Sequence, residues 1–264
     1  MKASSPTRRV SEAALRAALY AAVHRGTSGD LAFYRAACEG TRRVLELGCG
    51  AGRLAIPLAR DGRGVVGVDL DEALLDIARS KIRQTPAAIR ARLDLRVGDM
   101  RALALDELRF DRILIAHSTI YCLENDDEVR AMLRKVRSHL DPAGQLLIDA
   151  YSADGFHDVL DPNADDPLTE IVRVTVAERS WRVLERSDWD RENQRIEALY
   201  RYVPTSGGPA LDTTITHRYM RAAQLETLLR EEGFDEVRIA ADFEGRPYGK
   251  DAEHMVVTAR CAEL

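Results

Sequence analysis

Residues 44–53 read VLELGCGAGR, a short aliphatic run followed by three glycines at alternate positions. The aliphatic residues predict a buried strand over Arg43–Leu47, and the pattern of residues 51–61 predicts a helix directly after it. Because glycine has no Cβ, a glycine-rich turn between strand and helix lets the backbone approach a ligand closely. The stretch therefore predicts a ligand-binding turn at the carboxyl end of the first strand, with a tight turn that binds nothing as the alternative.

The spacing of the glycines indicates which ligand the turn binds. A dinucleotide-binding turn has its third glycine three residues after the second, and Arg53 occupies that position here. Gly48, Gly50 and Gly52 instead follow the pattern GxGxG. We interpret the turn as the site of a nucleoside whose amino-acid tail crosses the loop, rather than as a pyrophosphate site.

Strands and helices alternate on both sides of this turn. Strands are predicted over residues 64–69, 93–97, 110–116 and 145–150, and helices over residues 71–84 and 126–140, with residues 141–144 ending the second helix. Strands joined by helices of this length are typical of a parallel sheet covered on both faces. The sequence therefore predicts an α/β, doubly wound fold.

The two ends of the chain and a central segment depart from this alternation. Residues 1–10 are interpreted as a disordered lead-in, and residues 11–39 as an N-terminal helical cap whose second helix is capped by Asp30. A loop is predicted over residues 154–167. Residues 156–218 alternate apolar and polar side chains, which predicts an inserted antiparallel sheet with strands at 171–182, 183–190, 195–203 and 213–219. A helix at 221–232, ended by Gly233, and a hairpin of residues 234–243 and 254–261 complete one domain of residues 1–264.

The composition of the chain narrows its class and location. Its 264 residues are 45% hydrophobic and carry a net charge of −5, which gives no general attraction for nucleic acid. The four cysteines form no CxxC pair, so we expect neither a metal site nor a disulfide framework. No apolar run has the length of a spanning helix, and no secretory signal is visible. These features predict a cytoplasmic protein with no membrane partner.

Two acidic residues follow the second and third predicted strands. Asp69 ends the second strand, where a carboxylate can accept both hydroxyls of a ribose. Asp99 follows the third strand and can accept the exocyclic amine of an adenine, while Met100 offers the ring an apolar face. Taken alone, each aspartate also fits a helix cap or turn. The carboxyl ends of these strands are expected to meet at one crevice, which favours binding.

These motifs resemble those of class I S-adenosylmethionine-dependent methyltransferases. The resemblance covers residues 43–151 and 221–261 and implies a Rossmann-like, seven-stranded, mostly parallel sheet with S-adenosyl-L-methionine as cofactor. It also implies cofactor contacts from Gly48, Cys49, Gly50, Gly52, Arg53, Asp69, Leu70, Asp99 and Met100. In several such enzymes an N-terminal tyrosine reaches the carboxylate end of the cofactor, and Tyr20 and Tyr34 are the candidates here, with core packing as the alternative.

Within that family the chain is similar to small-molecule enzymes with an antiparallel insert after the fifth strand. Amino-sugar and glycine N-methyltransferases and peptide-tailoring methyltransferases share this plan. The resemblance implies that the insert of residues 156–218 is a lid, that the acceptor is a small molecule methylated on an amine or hydroxyl, and that the protein can form a homodimer. No nucleic-acid acceptor is expected, since the chain is acidic and lacks an Asn/Asp-Pro-Pro-Tyr motif.

Residues 116–122, after the fourth strand, are expected to face the acceptor. His117 is a candidate catalytic base, with a cofactor contact or packing as alternatives, and Tyr121 is a candidate wall residue or hydrogen-bond donor. Some amino-sugar relatives carry a histidine at the position of Cys122, so their acceptor contacts do not transfer directly. Further candidates from the insert and the hairpin are Tyr200, Tyr202, His217, Arg218, Tyr219, Arg246 and Tyr248.

Two other functional classes fit the same fold. A nicotinamide-dependent oxidoreductase shares the acid at the end of the second strand but requires the third glycine that Arg53 replaces. A methyltransferase-like binding protein keeps the fold without turnover, because a fold does not establish an activity.

Overall fold

The computed structural model describes residues 11–105, 108–158 and 167–261. The predicted lead-in of residues 1–10 and part of the predicted loop of residues 154–167 lie outside the described residues. The strands are β1 (Arg43–Leu47), β2 (Gly64–Asp69), β3 (Leu93–Val97), β4 (Phe110–Ile115), β5 (Leu140–Tyr151), β6 (Thr169–Val176), β7 (Arg179–Asp190), β8 (Arg195–Pro204), β9 (Leu211–Arg218), β10 (Glu236–Ala240) and β11 (His254–Arg260).

Seven of these strands form the central sheet, in the order β10-β11-β5-β4-β1-β2-β3. Strands β1 to β5 pair in parallel, whereas β11 is antiparallel to both β5 and β10. The predicted seven-stranded, mostly parallel sheet is confirmed. The strand order changes direction between β1 and β4, so the carboxyl ends of these strands open a crevice in which such sheets bind ligands.

The helices are α1 (Glu12–Val23), α2 (Asp30–Ala37), α3 (Ala55–Arg60), α4 (Glu72–Arg83), α5 (Ala87–Arg90), α6 (Asp126–His139), α7 (Asp154–His157) and α8 (Ala222–Glu231). Asp71 caps α4 as predicted, accepting the N–H groups of Ala73 and Leu74. The prediction that Asp30 caps α2 is wrong. Gly29 holds that position, and Asp30 is a buried residue of the first turn. Helix α8 ends before Gly233, whose φ is +85°.

Two boundaries next to the sheet also differ from the prediction. The helix expected from residue 51 begins at Ala55, since the glycine loop continues through Leu54 before helical bonding starts. Residues 141–144, predicted to end α6, belong to the start of β5. They form an irregularity in which Phe110 pairs with Leu140 while Arg112 pairs with Gln145. Pro142 and Gly144 are tolerated there because the ladder is interrupted.

The insert is a separate antiparallel sheet in the order β6-β7-β8-β9, as predicted. It begins at Thr169, and residues 154–157 form the short helix α7 where a loop was expected. The first hairpin turn was also misplaced. It lies at Ala177 and Glu178, with φ of +51° and +60°, rather than at residues 182–183. Hairpin turns with positive φ normally contain Gly, Asn or Asp, so the sequence carries no signal for this turn.

Helix α1 packs against the insert and shares a hydrophobic cluster with it. Leu19 of α1 is fully buried beside Trp181, Val183 and Tyr202 of the insert. Burying large apolar side chains contributes about 1.5–3 kcal/mol each, so this cluster fixes the helix to the sheet. Among the described residues, no helix combines the length and the apolar character needed to cross a membrane.

Candidate active site

A cleft of about 400 Å³ opens at the carboxyl ends of β1, β2 and β4. This volume is within the usual range of small-molecule sites, which is roughly 300–1,000 Å³. It is lined by Tyr20, Ala21, His24, Arg25, Glu46, Gly48, Cys49, Gly50, Ala51, Arg53, Val68, Asp69, Leu70, Asp71, Leu74, Lys81, Gly98, Met100, Ala116, His117, Thr119 and Cys122. Helix α1 and the residues after it form one wall, and no described residue of the insert lines the cleft.

The glycine loop forms the floor of the cleft. Gly48 has a φ of +70°, and a Cβ added there would lie 2.3 Å from Cγ2 of Thr119. Only glycine therefore fits between the loop and the segment after β4. The N–H groups of Gly48 and Cys49 donate to the carbonyl of Val68 at 2.8 and 3.1 Å, which ties the loop to β2.

Two members of the motif contribute packing rather than a side chain facing the cleft. Cys49 is 3% exposed, and its Sγ packs so closely on Gly67 that a Cβ there would lie 2.8 Å away. Burial raises the pKa of the Cys49 thiol, so the group stays neutral. Gly52 does not line the cleft, because it faces Ile56 and Ala78 at the start of the following helix.

Asp69 lies where the sequence placed it, at the mouth of the cleft. Its Oδ2 accepts the N–H of Gly50 at 2.7 Å and its Oδ1 accepts the N–H of Asp71 at 2.8 Å. Burial raises the pKa of this carboxyl group. A carboxylate oxygen has two lone pairs, so each oxygen can accept a further hydrogen bond from a ligand.

Leu70 and Met100 provide the apolar surface beside this carboxylate. The Leu70 side chain is 66% exposed although it is a large hydrophobic residue, and both residues line the cleft. An exposed apolar side chain beside a bound polar group is a common feature of ligand sites.

Asp99 is not brought into the cleft. Its carboxylate forms an ion pair with Arg101 at 2.6 Å, and Arg101 also contacts Glu128. The hydrogen bonds from Arg101 lower the pKa of Asp99. The predicted contact with an exocyclic amine therefore lacks support, because the carboxylate is already paired with Arg101, two residues further along the chain.

Glu46, which sequence reasoning did not single out, lines the cleft with a buried carboxyl group. It is 3% exposed, and its Oε2 has no hydrogen-bond partner within the described residues. Burial raises the pKa of Glu46 to about 8, although nearby Arg53 opposes the shift. An acidic residue inside the aliphatic run VLEL is the signal that could have identified it, since buried charges normally require a partner.

Arg53 reaches the cleft as predicted and is held by an acidic residue of α2. Its guanidinium lies 2.6 Å from Oδ2 of Asp30, which is 3% exposed and also accepts the N–H of Thr27. A Cβ on Gly26 would lie 2.2 Å from the guanidinium, so the N-terminal link crosses directly over it. This ion pair joins the N-terminal segment to the glycine loop.

The two candidate tyrosines lie in different surroundings. Tyr20 lines the cleft, and burial raises its pKa to about 12, with Cys122 and then Asp69 adding to the shift. Tyr34 is fully buried and outside the cleft, and its hydroxyl donates to Oδ1 of Asp149 at 2.5 Å. Of the two candidates, Tyr20 is therefore the one on the cleft wall, and its contact with a cofactor carboxylate stays a prediction.

His117 lines the cleft in a strained backbone conformation. Its φ is +55°, and its N–H donates to the same Asp149 Oδ1 at 3.0 Å. Burial and then the charge of Arg53 lower the pKa of the imidazole, so it is uncharged at neutral pH. The buried pair of Tyr34 and Asp149 thereby holds the backbone that presents this ring.

Tyr121 does not reach the cleft. It is fully buried, and its hydroxyl lies 2.9 Å from the carbonyl of Tyr151 and 3.1 Å from that of Met220. The hydroxyl is therefore committed to the backbone, and its expected contact with the acceptor lacks support.

We expect Tyr34→Phe to reduce the free energy of unfolding by about 1–3 kcal/mol, since it leaves the buried Asp149 carboxylate with one donor fewer. Tyr202→Phe is the matched control, because the Tyr202 hydroxyl is buried and has no partner within the described residues. Urea unfolding measures both variants. Equal free energies of unfolding for wild type and Tyr34→Phe would show that the hydrogen bond to Asp149 does not contribute to stability.

The remaining candidates divide between the cleft and structural contacts. His24, at the end of α1, lines the cleft although no sequence pattern selects it. Cys122 is exposed on the cleft wall. The others lie in structural contacts: Tyr200 and Tyr202 in the cluster with α1, His217 against Tyr151, Arg218 with Asp126, Tyr219 with Trp189, Arg246 with Asp242, and Tyr248 with Asp154.

Comparison with known proteins supports the methyltransferase fold. The methyltransferase domain family matches residues 44–144, which include the glycine loop, Asp69 and His117. The CcbJ methyltransferase of Streptomyces caelestis superposes with a TM-score of 0.75 at 28% identity, over 90% of this chain and 97% of that one. Residues 44–144 are a methyltransferase domain, and the chain has the fold of class I S-adenosylmethionine-dependent methyltransferases. The oxidoreductase interpretation finds no support among these similarities.

Two further relatives of this methyltransferase match across most of their length. The cypemycin N-terminal methyltransferase of a Streptomyces species is 27% identical over 222 residues, 82% of each chain. CalS10 of Micromonospora echinaspora, an amino pentose methyltransferase solved with S-adenosylmethionine bound, has a TM-score of 0.65 at 20% identity, over 98% of this chain and 100% of that one. The second similarity concerns the fold alone.

Proposed function

We propose that this methyltransferase transfers the methyl group of S-adenosylmethionine to an amine nitrogen of a small molecule or peptide. The observation that carries the proposal is the His117 ring, which lies on the cleft wall, uncharged, with its backbone held by Asp149. The names of two relatives, an amino pentose methyltransferase and an N-terminal peptide methyltransferase, support the choice of acceptor.

The residues of the cleft fit the cofactor. The unpartnered Oε2 of Glu46 suits its ammonium group, and the Arg53 guanidinium suits its carboxylate. The free lone pairs of Asp69 suit the ribose hydroxyls, while Leu70 and Met100 offer apolar faces to the adenine. When bound, S-adenosylmethionine supplies an activated methyl group on a sulfonium.

The properties of His117 favour an amine over a hydroxyl acceptor. A hydroxyl must lose a proton during the transfer, whereas an amine needs only to arrive uncharged. An imidazole whose pKa is lowered by burial is a weaker base than an exposed histidine, which favours an acceptor that need not lose a proton to it. It still accepts a hydrogen bond from an amine and orients its lone pair.

We propose that the insert acts as a lid indirectly, by supporting α1. The cleft wall on that side is formed by Tyr20, Ala21 and His24, and the insert buries Leu19 on the other side of the helix. The N-terminal cap and the insert together would exclude water from the cleft, which strengthens electrostatic interactions within it.

We expect His117→Asn to lower the turnover of primary amines by on the order of tenfold, the upper value for one hydrogen bond between uncharged groups. Asn tolerates the positive φ of this position better than other residues, so the backbone should be preserved. Formation of S-adenosylhomocysteine is measured with a panel of primary amines, N-terminal peptide amines and alcohols.

Calorimetry with S-adenosylmethionine provides the control for His117→Asn, because its affinity should not change. Turnover of alcohols but not amines by the wild type would contradict the proposed acceptor. Unchanged amine turnover in the variant would show that His117 has no role in the transfer.

A further inference from the structure

His24 is a half-buried histidine that lines the cleft and that the contacts described so far leave unused. It follows the last turn of α1, and its N–H caps the helix by donating to the carbonyl of Tyr20 at 2.9 Å. Its Nε2 is buried and has no hydrogen-bond partner in the described part of the chain. Leaving such an atom unsatisfied costs about 1–3 kcal/mol, so its position indicates a ligand atom.

The Nε2 atom of His24 differs in position from the other unpartnered polar atoms. Within residues 11–105, 108–158 and 167–261, the unpartnered buried polar atoms on the cleft wall belong to Glu46 and His24. Glu46 lies in β1, beside the glycine loop and Arg53, where the ammonium of the cofactor fits. His24 lies on the opposite side of the cleft, at the end of α1 and next to His117. The proposed placement of the cofactor assigns none of its groups to His24.

The aromatic neighbours of His24 fix its ring. The ring centroids of Tyr20 and Tyr200 lie 4.1 and 5.1 Å away, the first tilted by 34° and the second nearly perpendicular. Ring pairs at these separations are in favourable contact. The imidazole is therefore held from both α1 and the insert, on the wall of the cleft.

The second imidazole of the cleft is close to the first. The ring centroids of His24 and His117 are 6.2 Å apart. One nitrogen atom can lie within hydrogen-bond distance, about 2.9 Å, of both rings at that separation. Burial, together with His117 and His217, lowers the pKa of His24 to about 4, so both rings are uncharged acceptors at neutral pH.

We propose that His24 binds the acceptor amine through Nε2, so that the amine bridges His24 and His117 with two N–H bonds. The inference rests on the proposed function and narrows its substrate class to amines that carry at least two protons when they bind. A hydroxyl has one proton and can satisfy only one of the two imidazoles, so alcohols are discriminated against. His24 is thus a specificity-determining residue supplied by the N-terminal segment.

Sinefungin tests this without knowledge of the natural acceptor. It is a cofactor analogue in which an amine-bearing carbon replaces the methylated sulfur, so its ammonium projects from the cofactor towards the proposed acceptor position between the two imidazoles. S-adenosylhomocysteine lacks that ammonium. Calorimetry measures the affinity of both compounds for the wild type, His24→Phe and His24→Asn. Phe keeps the ring contacts but has no ring nitrogen, and Asn is too short to reach the ligand amine. The two variants therefore remove the hydrogen bond from Nε2 in different ways.

We expect the wild type to bind sinefungin more tightly than S-adenosylhomocysteine, and both variants to lose about tenfold in sinefungin affinity alone. Tyr200→Phe, which keeps the ring beside His24, is the control and should retain the preference. If both His24 variants still bind sinefungin more tightly than S-adenosylhomocysteine, the proposed role of His24 is wrong. Failure of the wild type to bind S-adenosylhomocysteine at all would instead overturn the proposed function.

Discussion

Asp69→Ala is expected to weaken the binding of S-adenosylmethionine by about 2–4 kcal/mol, or roughly 30- to 1,000-fold. The carboxylate is largely buried at the mouth of the cleft, where hydrogen bonds to a charged group are stronger than at the surface. It also holds the N–H groups of Gly50 and Asp71, so its loss removes two anchors of the glycine loop. Isothermal calorimetry on wild type and variant measures the difference.

Two further variants separate the binding role of Asp69 from its structural role. Asp69→Asn keeps one acceptor oxygen and should lose less affinity than Asp69→Ala. Asp94→Ala, which removes an exposed aspartate paired with Arg96 on the neighbouring strand, should not change the affinity. An unchanged affinity in Asp69→Ala would refute the placement of the ribose at this carboxylate.

The second large effect concerns the protonation of Glu46. Burial raises its pKa to about 8, so the free protein carries a neutral carboxyl group there at pH 7. The ammonium of S-adenosylmethionine favours the charged carboxylate, so binding at pH 7 should release close to one proton. Affinity should therefore rise by up to tenfold per pH unit between about pH 6 and 8, since each pKa unit corresponds to about 1.4 kcal/mol.

Glu46→Gln isolates this effect. The amide cannot ionise, so the proton release should disappear and the affinity should become weaker and nearly independent of pH across the same range. Calorimetry in buffers of different ionisation enthalpy measures the number of protons released. Release that persists in the variant would assign the proton to another group.

The same shift in the pKa of Glu46 affects the stability of the free protein. A group whose folded pKa lies above its unfolded value of 4.5 stabilises the fold fully below that value. The contribution is lost as the pH rises through the folded pKa of about 8. The free protein should therefore unfold more easily at pH 9 than at pH 5 by this contribution, and Glu46→Gln should reduce the difference.

The parts of the fold that the sequence predicted well are those in which burial alone decides the structure. Strands β1 and β2 begin and end at the predicted residues, because short aliphatic runs of that length favour buried strands. The hairpin at Ala177 and Glu178 was misplaced because two residues without turn preference adopt positive φ there under the constraint of their partner strands. Long-range pairing, which no local pattern shows, determined that turn.

The candidate site follows the same division. The glycine loop, Asp69 and His117 lie on the cleft, as their positions directly after β1, β2 and β4 predict. Tyr34 and Asp99 do not line it, because Asp149 and Arg101 engage them in contacts that only the folded chain reveals. His24 and Glu46 were missed because an isolated histidine or a single acid in a strand becomes informative only when its burial is known.

The cluster that joins α1 to the insert has a consequence for how such enzymes can be altered. The proposed cofactor side of the cleft comes from residues 46–100, whereas the opposite wall comes from Tyr20 and His24. Helix α1 positions these two residues, and Leu19 and Trp181 pack it against the insert. Acceptor preference can therefore diversify without disturbing the cofactor site, but helix and insert must change as one unit. A chimaera that takes both α1 and the insert from a related enzyme keeps a complementary hydrophobic cluster between them. A chimaera that takes only one of the two does not.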